Sequence, residues 1–336
     1  MFLIRGINGY MAEKERLLTV ENLTTEFELR DKKLVAVNDV SLHIDRGEIV
    51  GLVGESGCGK SMTAFSILGI VPFPGKTIRG RVVFKKRDLL KYNQKEMRSV
   101  RGKNISLVYQ DPLSSLNPSY TIYWHLSEVM RAHGKRMNRK SEEKEIIEAL
   151  RRVGIPEPET KVNQFPHQFS GGMRQRVVIA MALILDPLLI IADEPTTALD
   201  VTTQKAIFNL IEKLKEDLNL SFTVISHDLY LIGERCDRIY VMYSGQIVEH
   251  GASHEIFDNP LHPYTKGLIS AIPLIGSEKE KLGVIKGEVQ NLIELPGGCF
   301  FAGRCEFAEE KCRRNRQDLK ALRGNRLVRC WKVDNV

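Results

Sequence analysis

The stretch Gly54-Glu55-Ser56-Gly57-Cys58-Gly59-Lys60-Ser61 decides how this chain of 336 residues is read. An apolar run, Ile49-Val50-Gly51-Leu52-Val53, precedes it and predicts a buried parallel strand. Thr63-Ala64-Phe65-Ser66-Ile67-Leu68 follows and predicts a helix. Strand, glycine loop and helix form the setting of a phosphate-binding loop. Glycines let successive N–H groups crowd around an anion. The helix start adds unpaired donors and a partial positive charge. In that setting Lys60 reaches the β- and γ-phosphates, and Ser61 offers its hydroxyl to Mg2+. Stripped of its flanks, the same pattern would be a Gly-rich turn that happens to precede a lysine.

Two further stretches carry chemistry. Leu188-Leu189-Ile190-Ile191-Ala192 predicts a second buried strand, ending at Asp193-Glu194. Ligands of parallel sheets sit at the carboxyl ends of strands. Adjacent carboxylates there are costly unless they serve a cation or a water. Successive strand residues point to opposite sides, so the pair can divide its work. Asp193 would hold Mg2+ through water, and Glu194 would orient and deprotonate an attacking water. Phe169-Ser170-Gly171-Gly172-Met173-Arg174-Gln175-Arg176 is a second glycine turn opening a helix. Taken alone it reads as an ordinary N-cap. One chain with one phosphate loop has no need of a second anion site, so this turn would serve the nucleotide of a partner chain.

Strands are also predicted over Leu17–Phe27, Val35–Ile44, Arg79–Phe84, Asn104–Tyr109 and Ser221–Ser226, with a helix over Thr202–Glu216. Arg238–Tyr243 and Gln246–His250 predict a hairpin around Ser244-Gly245. Between about Tyr120 and Lys161 the apolar residues fall at helical spacing, which predicts a helical insertion. Past Asn259 the pattern weakens into an appended segment.

Composition sets bounds. No run approaches the roughly 18 apolar residues of a membrane span, and Asp186-Pro187 breaks the nearest, Val177 to Ala192. Met1 to Arg16 lacks the apolar block and cleavage site of a secretory signal. Met11 offers a second start, which would make the first ten residues dispensable. The formal charge is +7, and Cys299 to Val336 holds ten Lys or Arg against five Asp or Glu. Such a tail suits nucleic acid, anionic lipid, an anionic cofactor or plain solvent. Cys299, Cys305, Cys312 and Cys330 lie in that tail, while Cys58 and Cys236 read as packing residues. Four thiols in a segment with little core suggest a metal, although no CxxC pair demands zinc, and free thiols stay open.

In this order the motifs resemble those of the ATP-binding subunit of an ABC transporter. Gly54 to Ser61 matches the Walker A motif, and Leu189 to Asp193 the Walker B. Phe169 to Met173 matches the family signature, with Phe and Met where Leu and Gln are commoner; Ser170 and Gly172 are intact. Gln110 matches the Q-loop glutamine, near metal and attacking water. Thr197-Ala198-Leu199-Asp200 resembles the D-loop, and His227 the switch histidine. The resemblance covers roughly Leu17 to Gly251. It implies ATP and Mg2+ as ligands. The nucleotide would meet Glu55, Ser56, Gly57, Cys58, Gly59, Met62, Ser170, Gly171, Gly172 and Asp200, with Ser61, Gln110 and Asp193 toward the metal. Glu194, His227 and Gln110 would be the catalytic set. Phe27 is the nearest aromatic for the adenine, and a core phenylalanine is the other reading of it.

Finer features resemble the oligopeptide and dipeptide importer branch. They are Gln110-Asp111-Pro112-Leu113-Ser114-Ser115-Leu116-Asn117-Pro118, Pro166-His167-Gln168-Phe169-Ser170-Gly171-Gly172-Met173-Arg174-Gln175-Arg176 and His262-Pro263-Tyr264-Thr265. That resemblance implies a [4Fe-4S] cluster on the four tail cysteines. It also implies a peripheral subunit at the cytoplasmic face of the membrane. Its partners would be a second ATP-binding subunit (a copy or a related chain), two permease subunits and, indirectly, an extracellular binding protein. The expected fold is α/β, of the P-loop NTPase class in its ABC form. An N-terminal extension over 1–16 would lead into an ATPase domain over 17–259, with an antiparallel β subdomain and a helical subdomain at about 119–165. A Cys-rich extension over 260–336 would follow. Related importers carry nickel or oligosaccharides, so cargo stays open. A nucleic-acid-associated ATPase of the same fold is the competing class. The short insertion and the single ATPase unit speak against it, and no nucleic-acid partner is expected.

Overall fold

The computed structural model describes residues 15–272, 285–287, 293, 295–322 and 325–335. The choice between Met1 and Met11, and nearly all of the expected N-terminal extension, lie outside the described residues.

The chain opens with two long antiparallel strands, β1 (Arg16–Leu29) and β2 (Lys32–Asp45). Then come β3 (Ile49–Val53) and α1 (Lys60–Leu68), followed by β4 (Gly75–Phe84) and the short β5 (Arg87–Asp88). These build a four-stranded antiparallel sheet in the order β2-β1-β4-β5. Helix α2 (Gln94–Val100) leads into β6 (Ile105–Val108). A helical stretch follows: α3 (Pro112–Ser115), α4 (Ile122–Ala132), α5 (Arg139–Arg152) and α6 (Pro158–Lys161). Helix α7 (Gly171–Leu183) returns the chain to β7 (Leu189–Asp193). The order then runs α8 (Val201–Leu218), β8 (Ser221–Ser226), α9 (Leu229–Arg235), β9 (Arg238–Tyr243) and β10 (Gln246–Ala252). Helices α10 (Ser253–Asp258), α11 (Pro263–Ser270) and α12 (Glu310–Arg314) and the two-residue strands β11 (Lys320–Ala321) and β12 (Leu327–Val328) complete it.

The large sheet has the order β11-β12-β10-β9-β3-β8-β7-β6. Strands β9, β3, β8, β7 and β6 are mutually parallel, and β10, β12 and β11 add on antiparallel. Both faces of its centre are covered, which is why β3, β7 and β8 are buried at every residue. Alternation divides the core. Val50, Leu52, Ile191 and Ile225 face α1 and the antiparallel sheet, whereas Ile49, Val53, Ile190 and Val224 pack with the helices of the other face. All the phosphate-side strand ends point the same way, so the loops after β3, β6, β7 and β8 share one edge.

The final segment is tied into the body more firmly than an appended tail. Strand β12 pairs with β10, Glu249 opposite Val328. Phe301 joins Tyr243 and Tyr264 in an aromatic cluster with centroids 4.7–5.4 Å apart. Among the described residues, no helix is long and apolar enough to cross a membrane.

Candidate active site

The phosphate loop runs from the end of β3 into α1. Gly59 is the N-cap, at φ +105°, and offers no side-chain cap. A Cβ there would stand 2.3 Å from the Ala36 carbonyl oxygen, so only glycine lets the hairpin backbone lie against the loop. Lys60 is buried and folds back, its ammonium donating to the carbonyls of Gly54 (2.8 Å) and Glu55 (2.9 Å). Cys58 is buried beneath the loop, and burial pushes its thiol pKa up. Ser56 and Gly57 are exposed at the rim.

A cavity of about 480 Å³ opens over this loop. Its walls include Phe27, Gly57, Lys60, Ser61, Gln110 and Glu194. Phe27 therefore lies on the cavity side of the hairpin, and Met62 borders the same space. Leu29, Leu34 and Ala36 add an apolar wall that the sequence reading did not single out.

Glu194 sits just past β7 at φ +46°, its N–H donating to the Ile225 carbonyl at 2.9 Å. For a glutamate this backbone is costly and holds the side chain over the loop. Three groups converge on its carboxylate. Gln110 Nε2 donates at 2.8 Å, Thr197 Oγ1 donates at 2.8 Å, and His227 Nδ1 stands 3.2 Å away. Burial acts to raise its pKa. The hydrogen bonds from Thr197 and His227, with the charges of His227 and Lys60, outweigh that and hold it below the ordinary glutamate value. The sequence shows Thr197 only within a loop motif, and a hydroxyl three residues beyond a carboxylate is its one local signal.

Asp193 has the opposite environment. Burial raises its pKa, offset in part by a hydrogen bond from the Ser61 hydroxyl. Its Oδ1 is buried and has no hydrogen-bond partner. An orphaned carboxylate oxygen beside a serine hydroxyl is an oxygen donor set that suits a hard cation such as Mg2+.

The second glycine turn lies elsewhere. Ser170 is the exposed N-cap of α7 and accepts from the Met173 N–H at 3.3 Å. Gly172 abuts Thr203, where a Cβ would meet Cγ2 at 2.5 Å. Asp200 caps α8, accepting from the Thr203 N–H (2.9 Å) and hydroxyl (2.6 Å). None of Ser170, Gly171, Gly172 and Asp200 is among the described residues lining the cavity. Ser170 and Asp200 are exposed, with Gly171 and Gly172 half-buried between them and the body, so the turn faces another surface.

The expected [4Fe-4S] cluster is not supported. Cys299, Cys305, Cys312 and Cys330 do border one small hollow, with Phe301, Phe307 and Trp331. Yet among the described residues no group of three or more His, Cys, Asp or Glu is placed to hold a metal ion. Burial raises the pKa of Cys299 to about 11 and raises those of Cys305 and Cys330, so these three favour the neutral thiol, packed as small apolar groups. The same lack of a ligand group gives zinc no support among the described residues. All six cysteines are free. The basic residues of the tail serve other ends: Arg326 pairs with Glu249, Arg304 with Glu55, and Lys311 and Lys320 stand over the Trp331 ring.

Comparison with known proteins agrees with this layout. Residues 37–197 match the family described as ABC transporter, and residues 248–312 match the oligopeptide/dipeptide transporter C-terminal region. The dipeptide transport ATP-binding protein DppD of Bacillus subtilis is 43% identical over 321 residues, covering 95% of this chain and 96% of that protein. DppD of Escherichia coli is 40% identical over 314 residues, covering 94% and 96%. These relatives are named as ATP-binding proteins. Among solved structures, the dimeric ATP-binding cassette MJ0796 bound to ADP and Pi is similar with a TM-score of 0.63. It is 28% identical, and the match covers 70% of this chain and 99% of that one. The arrangement of loop, carboxylates and signature turn, with these relatives, shows that the chain belongs to the ABC transporter family, as an ATPase subunit with the oligopeptide/dipeptide transporter C-terminal region.

Proposed function

We propose that this subunit hydrolyses ATP to drive import of dipeptides or oligopeptides through a membrane transporter. The observation that carries the catalytic part is the Glu194 carboxylate, ionised and gripped by Gln110, Thr197 and His227 over the phosphate loop. Relatives over nearly the whole chain are named for dipeptide and oligopeptide transport, which supports the cargo.

In this reading the backbone of Gly54 to Ser61 binds the phosphates, and Lys60 exchanges its two carbonyl partners for β- and γ-phosphate oxygens. Phe27 stacks on the adenine. Glu194 accepts the proton of the attacking water, with Gln110 orienting that water and His227 contacting the γ-phosphate. Asp193, Ser61 and Gln110 would hold Mg2+, which when bound offsets phosphate charge. The Ser170-Gly171-Gly172 turn and Asp200 serve the ATP of an opposed subunit, a copy or a related chain. The dimeric form of MJ0796 supports such a pairing. The pair works at the cytoplasmic face, against two permease subunits fed by an extracellular binding protein. We assign residues 17–259 to the ATPase domain, its helical subdomain to about 119–165, and 260–336 to the extension.

The test is reconstitution of the full transporter in proteoliposomes with ATP supplied on the side of this subunit. Peptide-loaded binding protein should stimulate ATP hydrolysis and peptide uptake. Stimulation by an oligosaccharide or Ni2+ in place of peptide would reassign the cargo. Absence of hydrolysis with every cargo would overturn the ATPase reading.

A further inference from the structure

The phosphate loop is held from outside the ATPase core by two residues of the final segment. The Tyr264 hydroxyl accepts the Glu55 N–H at 2.9 Å. The Arg304 guanidinium grips the Glu55 carboxylate with both terminal nitrogens, at 2.7 and 3.0 Å, across 249 positions of sequence. Such a fork-to-fork pair fixes direction as well as distance. Arg304 is itself braced. Its Nε donates to the Lys286 carbonyl at 3.0 Å, a terminal nitrogen donates to the Ile285 carbonyl at 3.4 Å, and its plane lies 5.8 Å from the Tyr243 ring centre. The arginine side chain is only 7% exposed, whereas that of Glu55 is 29% exposed.

Glu55 is an anomaly where it stands. It is the second residue of a loop whose work is to surround a polyanion, and a loose carboxylate there would oppose the phosphates. We propose that Arg304 is a positioning residue for ATP: it neutralises Glu55 and keeps its carboxylate turned away from the phosphate site, so that the C-terminal segment sets nucleotide affinity. This rests on the ATP site proposed above. It also gives the final segment a role at the nucleotide, beyond closing the sheet edge. A surface ion pair holding the segment down would be the plain alternative, and it makes a different prediction: loss of either partner would loosen the segment without a signature in KM.

The experiment is steady-state ATP hydrolysis by the full transporter carrying Arg304→Gln, Arg304→Lys or Glu55→Gln with Arg304→Gln. Thermal melts confirm folding. R304Q should raise the KM for ATP about tenfold and leave kcat within about twofold. The double variant should recover most of that loss, because the stray charge has gone. R304K retains the charge and loses the fork, so its KM should rise about threefold. If R304Q does not fold, R304K carries the test alone. An R304Q variant (or, failing it, R304K) with the parent's KM overturns the inference while the ATPase reading stands. So does a double variant as impaired as R304Q. A parent that binds no ATP overturns both.

Discussion

Gln110 and Glu194 are 84 positions apart, and the Gln110 amide donates to the Glu194 carboxylate at 2.8 Å. Their strands, β6 and β7, are parallel neighbours, so the bond links the ends of two adjacent strands at one sheet edge. Gln110 is exposed, on the loop that leads to the helical stretch, while Glu194 is the carboxylate over the phosphate loop. A movement of that loop is therefore felt directly by the group assigned to water activation.

Replacing that carboxylate isolates its role. Glu194→Gln keeps the size of the side chain and one accepting oxygen, and removes its basicity. ATP hydrolysis should fall at least about 100-fold, while ATP binding by filtration or fluorescence stays within a few-fold of the parent. The ATP-bound pair should then be isolable by size exclusion. Hydrolysis at the parent rate would show that another group takes the proton.

Much of this was legible beforehand because the signals were local. Ile49–Val53 and Leu188–Ala192 could be read as buried strands, since a doubly covered strand has no polar face to show. The hairpin around Ser244-Gly245 stands out for a similar reason, with Ser244 at φ +43° and Gly245 at φ +79° in the turn. What escaped notice was long-range. No local pattern announces that Arg304 reaches Glu55, or that β11 and β12, two residues each, extend the sheet. The cluster expected on the tail cysteines comes from resemblance to the importer branch, and spacing alone does not show ligand geometry. Burial in the hollow with Phe301, Phe307 and Trp331 favours neutral thiols at Cys299, Cys305 and Cys330.

The tie between tail and sheet has a measurable energy. Arg326 donates to Glu249 at 2.6 Å and to the Asn259 carbonyl at 2.8 Å, with side chains 8% and 0% exposed. Glu249 also accepts the Leu261 and His262 N–H groups. Arg326→Ala would leave a buried carboxylate with amide donors alone, at a cost of about 3 kcal/mol. Urea titration should show it as a lower midpoint with unchanged slope. A loss below about 1 kcal/mol would mean that water reaches Glu249.

Acid should unfold the protein through its buried histidines. His250 stacks on Tyr240 with centroids 4.1 Å apart, and His262 accepts the Tyr264 N–H at 3.1 Å. Burial lowers both pKa values from 6.5 to about 3; the Arg238 charge adds to the effect at His250, while a backbone hydrogen bond with Arg329 opposes it in part at His262. The unfolded chain takes up protons from about pH 6.5 that the native chain refuses until about pH 3. Stability is therefore full above pH 7 and falls as pH drops through that window, by up to about 1.4 kcal/mol per pH unit for each histidine. Melts at constant ionic strength between pH 7.5 and 5 should show it. A flat melting temperature over that range would place water around both rings.

Phe27 supplies the last test, because its two readings separate in kinetics. It lines the cavity beside Gly57 and Met62, and its ring also covers Gly75, where a Cβ would lie 2.6 Å from its edge. A purely structural ring would cost stability on truncation and leave nucleotide affinity alone. A ring that stacks on adenine loses roughly 1 kcal/mol of contact with the base, which is about a fivefold rise in the KM for ATP. Phe27→Ala should show that rise with kcat little changed, and Phe27→Trp should restore affinity because a flat apolar face returns. Leu29 and Leu34 are aliphatic and offer no flat face for the base, so a KM unmoved by Phe27→Ala would leave the base bound by the apolar wall without stacking.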